Sequence, residues 1–366
     1  MTRREAPVPV VAPDRVPAQV DYRARTGLEA LARDIRGARD RGQEIAVVTS
    51  GAIALGWRVL GLPRRPVRLE EKQAAAAAGQ IRLARAWQVA LEGVGLEAEQ
   101  VLLTLADTED RRRYLNGRAT MNTLLRLGAV PVVNENDTVA TTEIRFGDND
   151  RLSARVAVMI SAETLVLLSD VEGLYTADPR RDPTAAHVPL VETITPEIEA
   201  MAGGAGSTAG TGGMVSKLAA AQIATRAGCT VVLTAGAVER PLTALAEGAR
   251  CTLFPAATSP RRARKDWIAG ALAPTGTLWL DAGAVAALER GSSLLPAGVT
   301  RIEGRFEKGD AVLVRAPDGR AVAKGLVAYD AADAERLVGA RTEEIEARLG
   351  WRGRDELVHR DDLVLL

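Results

Sequence analysis

Apolar residues recur at helical spacing through Leu28, Leu31, Ile35 and Ala38, and Gly42 stands where that helix would stop. The pattern then becomes a short apolar run, EIAVV (Glu44–Val48), which passes into the small residues of TSGAIALG. Further runs predict strands at Ala129–Val133 in GAVPVVNEND, Thr164–Leu168 in ETLVLLSD and Thr230–Leu233 in CTVVLTAG, with helical patterns between them. Strands that are apolar at nearly every position suit a parallel sheet covered on both faces. Such a sheet collects its ligands at the carboxyl ends of its strands. The predicted fold class is α/β.

The texture changes within PAATSPRRARKDWIAGALAPTG, where prolines, a basic cluster and small residues mix. A boundary is expected there, giving a first domain over 1–258, a linker over 259–274 and a second domain over 275–366. In that last part TLWLDAG, TRIEGRF, AVLVRAPDG and AVAKGLVAYD read as short strands with closely spaced turns, a small mostly β module.

Composition narrows the function classes. With 366 residues, 47% of them hydrophobic, the chain can bury more than one core and does not read as disordered. Its 47 basic and 47 acidic residues cancel, so the overall charge makes nucleic acid an unlikely partner and gives an anionic membrane no purchase. No apolar run reaches the roughly 20 residues of a membrane-spanning helix, and MTRREAPVPVVAPDRVPA lacks the apolar core of a signal peptide. Cys229 and Cys251 suit a reducing compartment, so a soluble cytoplasmic protein is expected. His187 and His359 stand far apart with no cysteine cluster, which argues against a protein-built zinc site.

Four polar clusters end predicted strands: Thr49-Ser50-Gly51, Asn134-Glu135-Asn136-Asp137, Ser169-Asp170 and Thr234-Ala235-Gly236. Any one of them is explained by helix caps and turns. Their coincidence with the glycine-rich GTGGMVSK favours a ligand site. Ser50 and Gly51 open a helix whose first N–H groups attract an anion. GTGGMVSK is not a Walker A loop, because Leu218 rather than Ser or Thr follows Lys217. What remains is flexible backbone N–H groups and a cation, Lys217, suited to the outer phosphates of a nucleotide. NENDTVATTEIRFGDNDRLSA concentrates Asp137, Glu143, Asp148 and Asp150 with Asn134, Asn136 and Asn149. Such a segment can bind an ammonium group, or organise lysines and magnesium. A solvated loop is the weaker alternative, since a buried strand precedes it.

TSGAIALG, VPVVNENDTVATTEIRFGDNDRLSA, LLSDVEGLYTADPR, GTGGMVSKLAAAQIATRAG and ERGSSLLPAGV together resemble the glutamate 5-kinases of the amino acid kinase family, from about Gly27 onward. The resemblance implies a three-layer α/β/α sandwich followed by a PUA domain. It also implies phosphorylation of the γ-carboxylate of L-glutamate by ATP with Mg2+, giving glutamyl 5-phosphate, the first step of proline biosynthesis. Through it Ser50, Gly51, Asn134, Asp137, Asp148 and Asn149 are expected to bind the amino acid. Ser169, Asp170, Thr211, Gly212, Gly213, Met214 and Lys217 are expected to bind the nucleotide. Asp150 would organise the lysines, and Lys217 would neutralise charge on the transferred group. A homo-oligomer and feedback inhibition by proline are further implications.

One stretch departs from the family pattern. Val10, Ala12, Pro13 and Asp14 stand where a lysine and a glycine loop are expected to touch the ATP phosphates. Three explanations are open: a catalytically impaired pseudokinase with a regulatory or RNA-associated role, Arg15 as a replacement cation, and a misassigned start of the gene. Other members of the family, acting on aspartate, acetylglutamate, carbamate or a nucleoside monophosphate, are the enzymatic rivals, and NENDTVATTEIRFGDND argues for glutamate. In RIEGRFEKGDAVLV, Arg301, Arg305 and Lys308 alternate with Glu303, Glu307 and Asp310. That gives no electrostatic footprint for RNA, and a structural or regulatory appendage is expected. QAAAAAGQIRLARAWQVAL reads as buried core or subunit interface.

Overall fold

A computed structural model describes residues 8–11, 22–139, 148–203, 212–271 and 273–366; the side chains of 8–11, 22–26, 148, 212 and 271 are not among them. The chain forms two compact units, Met1–Pro260 and Arg261–Leu366.

In the first unit the elements alternate. Strand β1 (Val8–Val11) is followed by α1 (Tyr22–Asp40), β2 (Ile45–Val48), α2 (Ala52–Val59), α3 (Leu69–Glu92) and β3 (Ala98–Leu103). Helices α4 (Leu105–Glu109) and α5 (Arg111–Leu127), β4 (Val130–Glu135), α6 (Asp148–Ile160) and β5 (Thr164–Ser169) come next. A two-stranded hairpin, β6 (Leu174–Tyr175) with β7 (His187–Val188), precedes α7 (Pro196–Met201), α8 (Gly212–Arg226), β8 (Thr230–Ala235), α9 (Pro241–Ala246) and β9 (Cys251–Phe254). The main sheet runs β3-β4-β2-β1-β5-β8-β9. All neighbours are parallel except β9, which is antiparallel to β8.

Strands β2 and β4 are buried along their whole length and β5 along all but its first residue. Because successive side chains alternate faces, their apolar runs feed two cores. Ala46, Val48, Val133, Leu165, Leu167, Val231 and Leu233 pack on one face with Met121 and Leu125 of α5, α6 and α8. Ile45, Val47, Val130, Val132, Val166 and Leu168 pack on the other with α1, α2 and α3. This is the expected three-layer sandwich, and each fully buried Val or Leu contributes roughly 1.5–3 kcal/mol to it. Both cysteines are free thiols, and burial pushes that of Cys229 up to about 12.

The predicted strands stand, most extended by a residue or two at the carboxyl end. Strands β1, β3 and β9 of the main sheet escaped the pattern, as did the short hairpin strands. Strand β3 is an edge that exposes Glu99, Gln100 and Leu102, so it shows no apolar run. Strand β1 lies in the centre of the sheet, with Val10 opposite both Val47 and Val166.

The second unit carries the sheet β11-β10-β12-β13-β14, built from β10 (Gly276–Leu280), β11 (Val299–Gly304), β12 (Ala311–Arg315), β13 (Ala321–Leu326) and β14 (Leu363–Leu365). Its core includes Leu278, Phe306, Val312, Val314 and Leu337. Residues 259–274, expected as a linker, instead carry α10 (Pro260–Ala271). That helix is tied to the unit's sheet. Arg264 forks onto Asp362 Oδ1 at 2.9 and 2.6 Å, the Lys324 ammonium donates to Ala269 O at 2.9 Å, and Ile268 is buried. The other helices here are α11 (Ala282–Glu289), α12 (Ala331–Leu337) and α13 (Ile345–Leu349).

Helices α2 and α3 cross with their backbones in contact. A Cβ on Gly79 would lie 1.7 Å from Ala52 O, and one on Gly56 would lie 1.8 Å from Ala75 O. Gly79→Ala should therefore destabilise the protein by about 1–3 kcal/mol or more in denaturant unfolding. Gly27→Ala, in α1 with nothing within 4 Å of the added carbon, should be neutral or stabilising by about 0.5–1 kcal/mol. Equal effects would show that the helices do not cross this closely.

Candidate active site

The strand order divides the carboxyl edge at β1. Strands β2 and β4 lie on one side, and their ends lead into Thr49-Ser50-Gly51 and Asn134–Asp137. On the other side β5 ends at Ser169-Asp170 and β8 at Ala235-Gly236. Ligands of open α/β sheets bind where the chain turns to opposite sides in this way.

The turn after β2 is anchored from beneath. Thr49 is buried; its N–H donates to Val133 O at 2.8 Å, and its Oγ1 accepts from Trp87 Nε1 at 3.0 Å. Gly51 then adopts φ 109°, a conformation glycine takes without strain. Helix α2 starts at Ala52, and no side chain among the described residues caps its first turn. Those N–H groups and Ser50 form a cradle suited to an anion.

At the end of β4 and just beyond it, Asn134, Glu135 and Asp137 are buried. Asn134 Nδ2 donates to Gln80 Oε1 of α3 at 2.6 Å, while Asn134 Oδ1 is buried without a hydrogen-bond partner among the described residues. Asn136 closes a local turn, accepting from Thr138 Oγ1 at 2.6 Å. Asn149, near the start of α6, also holds a buried Oδ1 without a partner. Buried oxygens of this kind, unpartnered among the described residues, are suited to accept from a donor on a ligand.

On the other side, Ser169 is buried and Gly236 N–H donates to its carbonyl at 2.7 Å, joining the ends of β5 and β8. Ser169 Oγ stands 3.3 Å from Asp170 Oδ1. Asp170 is exposed and pairs with Arg180 at 3.0 Å; Arg180 also bonds Asp178.

The two sides are linked by one buried ion pair. Helix α6 lies after β4 in the chain and α8 before β8, so both turn their N-termini toward the carboxyl edge. There Lys217 Nζ lies 3.1 and 3.3 Å from the carboxylate oxygens of Asp150, with side-chain exposures of 4% and 2%. Ser216 donates to Asp150 Oδ2 at 2.6 Å and stands 2.9 Å from Gly213 O. Sequence reasoning did not give Ser216 this role, for which only its place beside Lys217 was a signal. Gly212 and Gly213 are already helical, and Lys217 sits in the second turn rather than at the end of a loop. Among the described residues no three His, Cys, Asp or Glu side chains cluster as a protein-built metal site. Of the other expected residues, Met214 lies in the first turn of α8, half-buried, and Asp148 and Gly212 are described in backbone only. Thr211 lies outside the described residues, as do Ala12, Pro13, Asp14, Arg15 and Glu143.

A parallel sheet whose carboxyl edge combines an anion cradle, buried acceptors and a buried lysine has the parts of a small-molecule phosphotransferase. Residues 14–235 match the model of the amino acid kinase family and residues 276–349 that of the PUA domain, and the chain belongs to the amino acid kinase family. It is 60% identical over 341 residues to a glutamate 5-kinase from Paramagnetospirillum magneticum, covering 93% of this chain and 92% of that protein. A glutamate 5-kinase from Brucella ovis is 57% identical over 341 residues, covering 93% and 90%. No helix among the described residues is long and apolar enough to cross a membrane.

The ion pair makes a prediction of its own. Lys217→Met or Asp150→Asn removes one half of a buried charge pair, and each should lower stability by about 3–5 kcal/mol. The double variant should recover most of that loss in urea unfolding while staying inactive. Additive losses would show that the two groups are not coupled.

Proposed function

We propose that this chain transfers the γ-phosphoryl group of ATP to the γ-carboxylate of L-glutamate, giving glutamyl 5-phosphate and ADP, the entry reaction of proline biosynthesis. The geometry that carries this reading is the buried Lys217–Asp150 pair, which ties the β4 side of the edge to the β8 side. The choice of glutamate rests on relatives named for it that match nearly the whole chain. At that identity nothing supports the pseudokinase alternative raised by Val10, Ala12, Pro13 and Asp14.

In this reading the amino acid lies on the β2/β4 side. Its carboxylate region meets Ser50, Gly51 and the α2 N-terminus, and its ammonium meets Asp137 and the open oxygens of Asn134 and Asn149. Asp148 borders the same pocket. The nucleotide lies on the β5/β8 side, against Ser169, Asp170 and the 211–217 segment. A carboxylate oxygen attacks the γ-phosphorus, an O–P bond forms, and the bond to the ADP oxygen breaks. The nucleophile is ionised at neutral pH, so no general base is needed. What the site must overcome is repulsion between two anions, by positioning and fixed positive charge. Lys217 supplies that charge, and Asp150 and Ser216 hold it in place. Magnesium fits as a companion of the nucleotide phosphates, with Asp150 the nearby carboxylate; when bound it withdraws charge from the transferred group. A cytoplasmic homo-oligomer subject to inhibition by proline completes the proposal.

Release of ADP should depend on L-glutamate, and aspartate, acetylglutamate, carbamate and a nucleoside monophosphate should not replace it. Lys217→Ala should lower kcat by about a hundredfold to a thousandfold, and kcat should stay flat between about pH 6 and pH 9 because no base titrates there. ADP release that is independent of the amino acid would contradict the assignment, and a kcat limb near pH 7 would contradict the mechanism.

A further inference from the structure

We infer that Gln80 is a positioning residue that sets the preference for an ammonium-bearing substrate by fixing the side-chain amide of Asn134. This rests on the function proposed above.

An asparagine amide offers an acceptor on one side and two donors on the other, and turning its terminal bond by half a revolution exchanges them. Here Gln80 Oε1 takes the Nδ2 hydrogen at 2.6 Å, across 54 residues of chain. Held in this way, Asn134 is 2% exposed and its Oδ1 is left buried without a partner among the described residues. Such an oxygen suits a donor-only group, and the α-ammonium of an amino acid is one. Were the amide released, its NH2 could turn toward that ammonium and repel it.

The backbone holds Gln80 in place. Its neighbour Gly79 is pressed against Ala52 O, so α3 cannot slide relative to α2, the helix that opens at the Ser50-Gly51 turn. One helix crossing thus places both the anion cradle and the residue that orients the ammonium acceptor. The interaction runs through Gln80 as an acceptor, so Gln80→Glu keeps it and Gln80→Leu removes it.

The test uses the full chain. KM for L-glutamate, KM for ATP, kcat and the melting temperature are measured for wild type, Gln80→Leu and Gln80→Glu. The inhibition constant of glutarate, the same diacid without the ammonium, is measured alongside. Gln80→Leu should raise KM for L-glutamate about tenfold to a hundredfold. It should leave KM for ATP, kcat and glutarate inhibition within about twofold, as expected of lost ground-state contacts. Gln80→Glu should remain close to wild type in all of them. The inference is overturned if Gln80→Leu leaves KM for L-glutamate unchanged, if glutarate weakens in parallel, or if Gln80→Glu does as much harm as Gln80→Leu. Should Gln80→Leu fail to fold, the comparison of Gln80→Glu with wild type decides alone. A wild type that phosphorylates no L-glutamate removes this inference and the proposed function together, whereas an active wild type with an indifferent Gln80 removes only the inference.

Discussion

An ammonium group and a carboxylate buried against each other, Lys217 and Asp150, are the contact on which the arrangement of this protein depends. Neither charge is tolerated alone in so little water. Helices α6 and α8 must therefore keep their N-termini together, and with them the ends of the strands they connect. The same contact holds the Lys217 ammonium, with Ser216 bracing the shared carboxylate, at the edge where the proposed reaction would bring two anionic ligands together.

The parallel sheet supplies the second constraint. Because β1 pairs with β2 on one side and β5 on the other, the acceptors at the end of β4 and the cradle after β2 lie on one side of β1, where the proposed amino acid would bind, and the ends of β5 and β8 lie on the other, where the proposed nucleotide would bind. Close packing does the rest. Trp87 beneath Thr49, and the glycine contact between α2 and α3, hold the β2/β4 side without relying on loops. Specific positioning of reactants is most of what phosphoryl transfer asks of a protein.

Much of this was legible in the chain. The strands with unbroken apolar runs announced themselves because both faces are buried, and the polar residues that end them marked the carboxyl edge. Strand β3 was hidden because an edge strand can expose Glu99 and Gln100. Strand β1 was hidden because four residues containing Pro9 look like a loop, since proline is rare in a central strand. Pro9 is tolerated near the strand's start, opposite Ala46. Helix α10 was concealed by the prolines in and around it and by its basic residues, although Ile268 and Arg264 show what it packs against. The role proposed for Lys217 was suggested by its neighbours and by the resemblance of the chain to a family. The contacts of Ser216 and Gln80 could not be read in this way, because they are made to Asp150 and Asn134, which lie 66 and 54 residues away in sequence. Periodicity carries no information about such pairs.

The most direct test of the account is a crystal structure of this chain with L-glutamate and a non-hydrolysable ATP analogue. The amino acid should lie over the ends of β2 and β4 and the nucleotide over those of β5 and β8. Lys217 Nζ should be within hydrogen-bond reach of the γ-phosphate, with Asp150 still at its side. A nucleotide bound elsewhere, or a Lys217 turned away from the phosphate, would contradict it.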